Sequence, residues 1–567
     1  MTHLSTDVLI IGSGGAGLRA AIEARRYGVS VLLITKGTAR FDCCTAAAMG
    51  SFRVSWEDKD IEEHFYETLN AGKHLNNPEL VKILVVRAGP ALRELETFGI
   101  RLCIEKGKAS LIVSGQPAGV TLINILFNLA RDMGVELIKK ACAFNLLVED
   151  GRCHGASAFR LDTGEIINIS AKTVVLATGG FAGVYLRNDN PPGNIGTGIL
   201  LAFQAGAKLQ DLEFIQFQPM FIDKSVPRMP ILDWLIEATK GIAPGGPLIN
   251  NKGERFLGKY GLLNQKILRD NLIIAIEKEI AEEKEAQKFV ALDLRELTSA
   301  DIEKAFDSEF CRQLVRRFAH VFSSKPLHVA SSAHYTMGGV IINEKCETTI
   351  EGLYAAGEVT GGIHGANRLG GNALTEIMVF GKIAGKEAAE FAINSNFIKI
   401  DKEQFGKGQE MIHELFGKNN KVEIPPSPIK REVKVTLSRF CGPLKSEESL
   451  LFALDKLRNL EKKIPYVYAN DFKGLQDALE SRFMILLSEL VAWSALTRQE
   501  SRGSHCRLDF PETDDKYWLK NIVIKKRDGE PEPFIEKKLS KTFIAQKSSM
   551  KLKLKERKVL IKRRVHS

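Results

Sequence analysis

The stretch from Asp7 to Thr35 narrows the fold more than any other part of the chain. Asp7 to Ile11 is a short apolar run that reads as a buried strand. It is followed by Gly12-Ser13-Gly14-Gly15-Ala16-Gly17, an Ala-rich helical pattern from Leu18 to Arg26, and a second apolar run, Val29 to Thr35. Strand, tight turn, helix and strand at this spacing form a βαβ unit, and such units build parallel sheets. Gly12 permits the turn, Gly14 lets the backbone approach a pyrophosphate, and Gly17 allows helix and strand to pack closely. The helix N-terminus then offers free amides to phosphate oxygens. Glycine-rich turns also serve purely structural ends, so the motif defines a dinucleotide site only in company. The second strand ends in Thr35-Lys36, where a nicotinamide dinucleotide site wants an acidic residue for the ribose, so that cofactor is disfavoured.

The company is found far along the chain. Val174-Val175-Leu176-Ala177-Thr178-Gly179-Gly180 and Gly352-Leu353-Tyr354-Ala355-Ala356-Gly357-Glu358 are apolar strand endings that run into glycine or a single carboxylate. A large flavin site built from distant segments needs such returns. Further segments are Thr45-Ala46-Ala47-Ala48, Glu213-Phe214-Ile215-Gln216-Phe217, Gly253-Glu254-Arg255-Phe256, His334-Tyr335-Thr336-Met337-Gly338-Gly339, His364-Gly365-Ala366-Asn367-Arg368-Leu369-Gly370-Gly371-Asn372 and Glu500-Ser501-Arg502-Gly503. In this order they resemble the flavoproteins of succinate dehydrogenase and fumarate reductase, a superfamily shared with L-aspartate oxidase. The resemblance runs from about residue 5 to about residue 535.

It implies an α/β fold: a Rossmann-like FAD-binding domain (1–220 and 334–395), an inserted α+β capping domain (221–333) and a C-terminal helical bundle (430–510). A closing segment (511–548) with a hairpin around Gly529–Pro533 and a basic tail (549–567) follow. Pro425-Pro426-Ser427-Pro428 reads as a turn-rich linker, and helical periodicity runs from about Glu447 to Thr497. The resemblance further implies FAD lined by Gly12, Ser13, Gly14, Gly15, Ala16, Gly17, Lys36, Thr45, Ala46, Gly179, Gly180, Glu358, Ala373 and Leu374. Where membrane-complex members carry a flavin-linking histidine, this chain has Cys44, preceded by Cys43. Buried cysteines are usually inert fillers, which favours non-covalent FAD over a thioether link.

Hydride exchange between a flavin and a carboxylate substrate needs cationic donors on the carboxylate and an acid for the neighbouring carbon. The resemblance assigns carboxylate binding to His334 and Arg368, and a guanidinium fork suits a carboxylate. A third position carries Gln218 where the family has histidine. Ile236, in Leu235-Ile236-Glu237, replaces a hydroxyl residue, and Gly241-Ile242-Ala243-Pro244-Gly245-Gly246 is longer than the family turn and lacks its carboxylate. The proton-donating arginine is expected five residues after Arg269, at Ile274, so the acid is expected to be missing. Lys240, Lys259 and Tyr260 are the candidates to replace it. Three readings stay open: a succinate or fumarate enzyme with a rebuilt proton path, an L-aspartate oxidase-like or other-substrate FAD oxidoreductase, and a flavin-holding electron-transfer or scaffold subunit without its own substrate.

Composition sets the remaining bounds. At 567 residues the chain exceeds one compact core, and its 44% hydrophobic and 26% charged residues are those of a globular protein. No apolar run approaches a membrane span, and strand residues begin almost at the N-terminus, so a cytoplasmic location is expected, with any membrane association through partner subunits. Nine scattered cysteines without a Cys-x-x-Cys pair indicate neither a disulfide framework nor a metal site, so any iron–sulfur cluster is expected in a partner subunit. Of the net charge of +10, residues 549–567 supply +7, from eight Lys or Arg and one Glu. No aromatic-interleaved basic stripe accompanies it, so nucleic acid is not an expected partner.

Overall fold

The computed structural model describes residues 2–105, 107–112, 117–223, 232–243, 245–282, 288–304, 309–322, 324–398, 410, 412–416, 424–527 and 530–536. The basic tail and Pro244 of the 241–246 turn lie outside the described residues.

A seven-stranded sheet organises the first part of the chain, in the order Glu136–Ile138, Val31–Ile34, Thr2–Ile11, Ile166–Leu176, Arg152–Arg160, Ala141–Glu149, with Leu353–Ala355 also paired to Ile166–Leu176. The strand Thr2–Ile11 is parallel to both neighbours, and its last four residues, Val8–Ile11, are all buried. Helices covering both faces of a parallel sheet produce that unbroken apolar run. The helix Gly15–Arg26 returns the chain between the first two strands, as the glycine pattern requires.

A second, antiparallel sheet joins Ile215–Phe221, Leu327–Thr336, Val290–Leu292 and Leu248–Ile249. It packs with the helix Arg269–Glu282 around its own apolar core, which includes Phe221, Ile236, Leu248, Leu272, Ile276 and Val329. Its two longest strands cross between cores. Ile215, Phe217 and Ala333 belong to the core of the main sheet, and Phe221, Leu327 and Val329 to the second. The boundary between the two bodies therefore falls within these strands, where side chains of both bodies can meet.

The C-terminal part is a three-helix bundle, Pro426–Phe440, Glu447–Glu461 and Phe472–Thr497. The proline-rich stretch is thus not a linker but a helix start. Prolines in the first turn lack only amide hydrogens that have no intrahelical acceptor, and their fixed φ suits the helix. Ser446 and Asp471 cap the other two helices, accepting from Ser449 N (3.2 Å) and Gly474 N (2.6 Å). Val433, Leu437, Leu454, Leu479 and Met484 share one core with the main sheet, so the bundle is fused to it. The closing hairpin forms from Asn521–Arg527 and Glu530–Glu536 and extends a small sheet with Leu209–Gln210 and Gly339–Val340.

Candidate active site and flavin crevice

Strand register brings the three glycine turns together. Ile11 lies opposite Leu176, and Leu176 opposite Ala355, so Gly12, Ala177–Gly180 and Gly357–Glu358 leave the carboxyl edge of the sheet side by side. Gly12 has φ +112°, and a Cβ there would lie 2.3 Å from the Ala177 carbonyl oxygen. The helix that follows has no side-chain cap at Gly14, leaving its N-terminal amides for an anion. A Cβ at Gly14 would meet nothing nearer than Cys43 at 3.8 Å, so that face of the turn is open. A second helix, Asn372–Ile393, also starts without a side-chain cap, and Ala373 and Leu374 lie in its first turn. A Cβ on its Gly385 would stand 2.2 Å from the Ala20 carbonyl oxygen, so the two helices pack almost backbone to backbone.

The remaining expected cofactor residues lie in segments around this crevice. Thr45 Oγ1 accepts from Gly15 N (3.2 Å), Ser13 Oγ donates to Thr35 Oγ1 (2.9 Å), and Ala46 follows in the short helix Cys44–Ala47. Ala16 Cβ would be 2.9 Å from a Cβ at Gly357. Gly179 has φ +76°, and a Cβ at Gly180 would lie 2.4 Å from Glu358 Oε1. Glu358 accepts from Thr336 N (3.0 Å), and burial pushes its carboxyl up to about 7. The Lys36 ammonium is engaged by Glu480 Oε1 and Gly193 O, both at 2.9 Å. Open glycines beneath two uncapped helix N-termini fit a dinucleotide pyrophosphate.

Gly17 is the tightest of these positions. A Cβ on it would stand 1.9 Å from the Gly12 carbonyl oxygen, so Gly17→Ala must push the helix off the strand. Overpacking of this kind costs about 1–3 kcal/mol, and we expect both a lower thermal midpoint and a reduced flavin-to-protein absorbance ratio. Wild-type values of both in the purified variant would contradict the close-packing account.

Next to the crevice, five distant segments form one polar cluster. Arg368 Nη2 donates to Gln216 Oε1 (2.9 Å) and lies 3.1 Å from His334 Nε2. Arg269 Nη1 donates to the same Gln216 oxygen (3.2 Å). His334 Nδ1 is 2.8 Å from Asp189 Oδ2, which also accepts from Gln218 Nε2 (2.7 Å). Gln216 Nε2 is spent on Asn367 Oδ1 (2.7 Å) and Arg368 O (3.1 Å), fixing its amide with the oxygen toward the two guanidiniums. Arg368 is 9% exposed, its Nε has no acceptor, and it forms no ion pair among the described residues. Its guanidinium rests 4.6 Å from the Tyr335 ring centroid. Burial, with Arg269 beside it, lowers Arg368 to about 10. Burial also lowers His334, opposed by Asp189 and reinforced by Arg269 and Arg368.

The cluster brings His334, Arg368 and Gln218 together with two residues that the sequence reading left without a role, Asp189 and Gln216. Arg269, read only as an anchor, reaches the cluster, and Ile274, at the position expected for the acid, lines a small pocket with Gln216, Phe217, Ile273 and Asn367. Among the proposed replacements, Lys259 and Tyr260 bond Glu279 Oε1 (2.8 and 2.9 Å), in the body of the second sheet. Lys240 pairs with Glu237 (2.9 and 3.0 Å), which also accepts from Ile267 N, two residues before Arg269. Ile236 is fully buried in the core of that body.

Behind the cluster stands a buried ion network. Arg498, 0% exposed, donates to Glu213 Oε1 (2.7 Å) and Glu500 Oε1 (3.0 Å), and Glu500 also takes Arg502 (2.7 and 2.9 Å). Ser504 N and Oγ donate to Ala366 O at 3.0 and 3.1 Å, tying this network to the loop that carries Arg368. Tyr335, under Arg368, is itself pinned by Glu376 Oε2 (2.7 Å), which also holds His364 Nε2 (2.9 Å).

A crevice for a dinucleotide beside a buried cationic pocket defines an FAD-dependent oxidoreductase. The FAD binding domain family matches residues 7–374, and the fumarate reductase flavoprotein C-terminal family matches residues 430–559, extending into the segment that reads as a basic appendage. The chain belongs to the fumarate reductase and succinate dehydrogenase flavoprotein family. It is 37% identical over 543 residues to an uncharacterized FAD-dependent oxidoreductase of Methanocaldococcus jannaschii, covering 92% of this chain and 96% of that one. It is 34% identical over 547 residues to one of the subunits of the fumarate reductase (CoM/CoB) of Methanothermobacter marburgensis, covering 92% and 97%. Among solved structures, a variant of Escherichia coli quinol fumarate reductase superimposes with TM-score 0.83 at 29% identity, covering 94% of this chain and 97% of that one. Among the described residues, no helix is long and apolar enough to cross a membrane.

Proposed function

We propose that this chain is the flavoprotein subunit of a fumarate reductase or succinate dehydrogenase type enzyme, with Arg368 and His334 holding a substrate carboxylate and Arg269 delivering the proton. Bound FAD supplies the hydride or electron chemistry. The observation that carries the reading is Arg368, a buried guanidinium without a carboxylate partner among the described residues. An isolated buried charge is costly, so a site that keeps one beside a second arginine is built for an anion. Positioning it over the Tyr335 ring holds the guanidinium without neutralising it. Gln216 fixes both arginines from one oxygen, so the donors are in place before substrate arrives, as transition-state stabilisation requires. Lys240 and Glu237 bond each other, and Glu237 accepts from Ile267 N just before the Arg269 helix, which makes them the candidates to return a proton to Arg269.

Electrons would pass to or from a partner subunit carrying an iron–sulfur cluster, because relatives of this length are named as subunits. The test is reduction of fumarate to succinate by the FAD-loaded protein with reduced viologen as electron donor, read by product analysis. Absence of succinate would overturn fumarate as substrate. A different carboxylate is the second reading, favoured by Gln218, whose amide is already engaged by Asp189.

The flavin is held without a covalent bond in this proposal. The Cys44 thiol donates to Asn190 Oδ1 (3.1 Å), and burial raises it well above its ordinary value, so it is protonated and a poor nucleophile. After denaturation and ultrafiltration, the yellow colour should appear in the filtrate. Flavin retained with the polypeptide would contradict this.

A further inference from the structure

Asp189 has no role in the reading above, yet one of its oxygens organises half of the cluster. Oδ2 lies 2.8 Å from His334 Nδ1 and accepts from Gln218 Nε2 at 2.7 Å. A carboxylate accepts at both contacts, so His334 carries its proton on Nδ1. Nε2 is then a bare lone pair, which accepts from Arg368 Nη2 at 3.1 Å. Without ligand, His334 is therefore a neutral acceptor, not a donor, and in that state it cannot bind a carboxylate. We infer that Asp189 is a positioning residue that lets His334 switch: a carboxylate arriving at Arg368 draws one solvent proton onto His334 Nε2.

The inference rests on the carboxylate reading of the Arg368 site. The steps balance. Arg368 Nη2 turns its N–H from His334 Nε2 to the incoming carboxylate, and the freed Nε2 takes a proton from water or buffer. The new N–H donates to the same carboxylate, and Nδ1–H stays on Asp189. The imidazolium ends between two carboxylates, the arrangement that best tolerates its charge.

The charged groups that face His334 are Asp189 from the segment after Ile166–Leu176, Arg269 from the start of its helix and Arg368 from the loop before Asn372. Neighbouring Gln218 and Asn190 are neutral, and Asn190 Nδ2 donates to the His334 carbonyl oxygen (2.8 Å) and to Asp189 Oδ1 (2.9 Å), which helps to keep that carboxyl ionised. The Tyr335 hydroxyl is held by Glu376, away from the imidazole. Burial and the two arginines keep the unliganded imidazole neutral, while Asp189 is held ionised. A bound carboxylate offsets the arginines, and Asp189 then decides the balance.

Calorimetric titration of the oxidised, FAD-loaded protein with fumarate, at about pH 7.5 in buffers of differing ionisation enthalpy, counts the protons taken up. Wild type is expected to take up close to one proton per fumarate. Asp189→Asn, with flavin spectrum intact, is expected to take up almost none and to bind roughly tenfold or more weakly, a loss that shrinks at about pH 5.5, where solution supplies the proton. Asp189→Glu is expected to recover most of the proton uptake. Fumarate binding to wild type without proton uptake, or an Asp189→Asn loss equal at both pH values, would overturn the inference while leaving the carboxylate reading intact. Failure of wild type to bind fumarate would overturn fumarate as the ligand and this inference as stated for it, and tight binding by Arg368→Gln would overturn the carboxylate reading and this inference with it.

Discussion

Replacing Arg269 by leucine should lower the rate of fumarate reduction on the order of 10²- to 10⁴-fold, the usual contribution of a positioned proton donor, while leaving FAD bound. The guanidinium reaches Gln216 Oε1 at 3.2 Å, the same oxygen that holds Arg368, so the two arginines stand on one side of the pocket. Ile274 cannot substitute: it lines a small pocket with Gln216 and Asn367, but a hydrocarbon side chain has no proton to give. Nor can Lys259 or Tyr260, whose polar ends are committed to Glu279. Steady-state turnover with reduced viologen, together with the fumarate KM, separates the outcomes. A fall in kcat with little change in KM marks loss of the proton donor, and a variant within tenfold of wild-type kcat would rule Arg269 out as the acid.

Arg498→Met should be among the most destabilising substitutions in the chain, by about 3–5 kcal/mol, because it leaves Glu213 and Glu500 buried without their shared cation. Both carboxylates are fully buried, and burial already raises Glu213 despite the opposing pull of Arg498. Removing the guanidinium raises it further. A carboxyl whose folded pKa is raised contributes stability below its unfolded pKa and loses it as pH rises through the folded value. The cost of Arg498→Met should therefore be smaller near pH 5 than near pH 8. Denaturant melts of wild type and variant at the two pH values check this, and an equal cost at both would show that the variant acts through lost packing instead.

The parts of the fold that were legible in the sequence are those set by short-range pattern. The run from Asp7 to Arg26 carries strand, turn and helix in consecutive residues, and each glycine has one geometric reason to be there. The candidate site is different, because Asp189, Gln216, Arg269, His334 and Arg368 meet only through sheet register and the packing of two cores. Asp189 lies in an irregular segment, Asn188–Gly196, where no periodicity marks a direction for its side chain. Positions five apart on a helix point about 140° away from each other, at 100° per residue, yet Arg269 bonds Gln216 and Ile274 lines a small pocket with the same residue, which spacing alone does not disclose. Nor does the sequence disclose that Lys36, read as a cofactor residue, pairs with Glu480, 444 residues away. The prolines at 425, 426 and 428 read as a break, although at a helix start they remove no intrahelical hydrogen bond.

The most direct test of the account is a single turnover. The FAD-loaded protein is reduced anaerobically with dithionite just to completion, fumarate is added, and the return of oxidised-flavin absorbance is followed. With Arg368 and His334 holding the carboxylate and Arg269 supplying the proton, the absorbance should return on the order of seconds or faster, as for enzymes of ordinary turnover. A flavin that stays reduced for many minutes, with FAD still bound, would contradict the assignment of this pocket to fumarate chemistry.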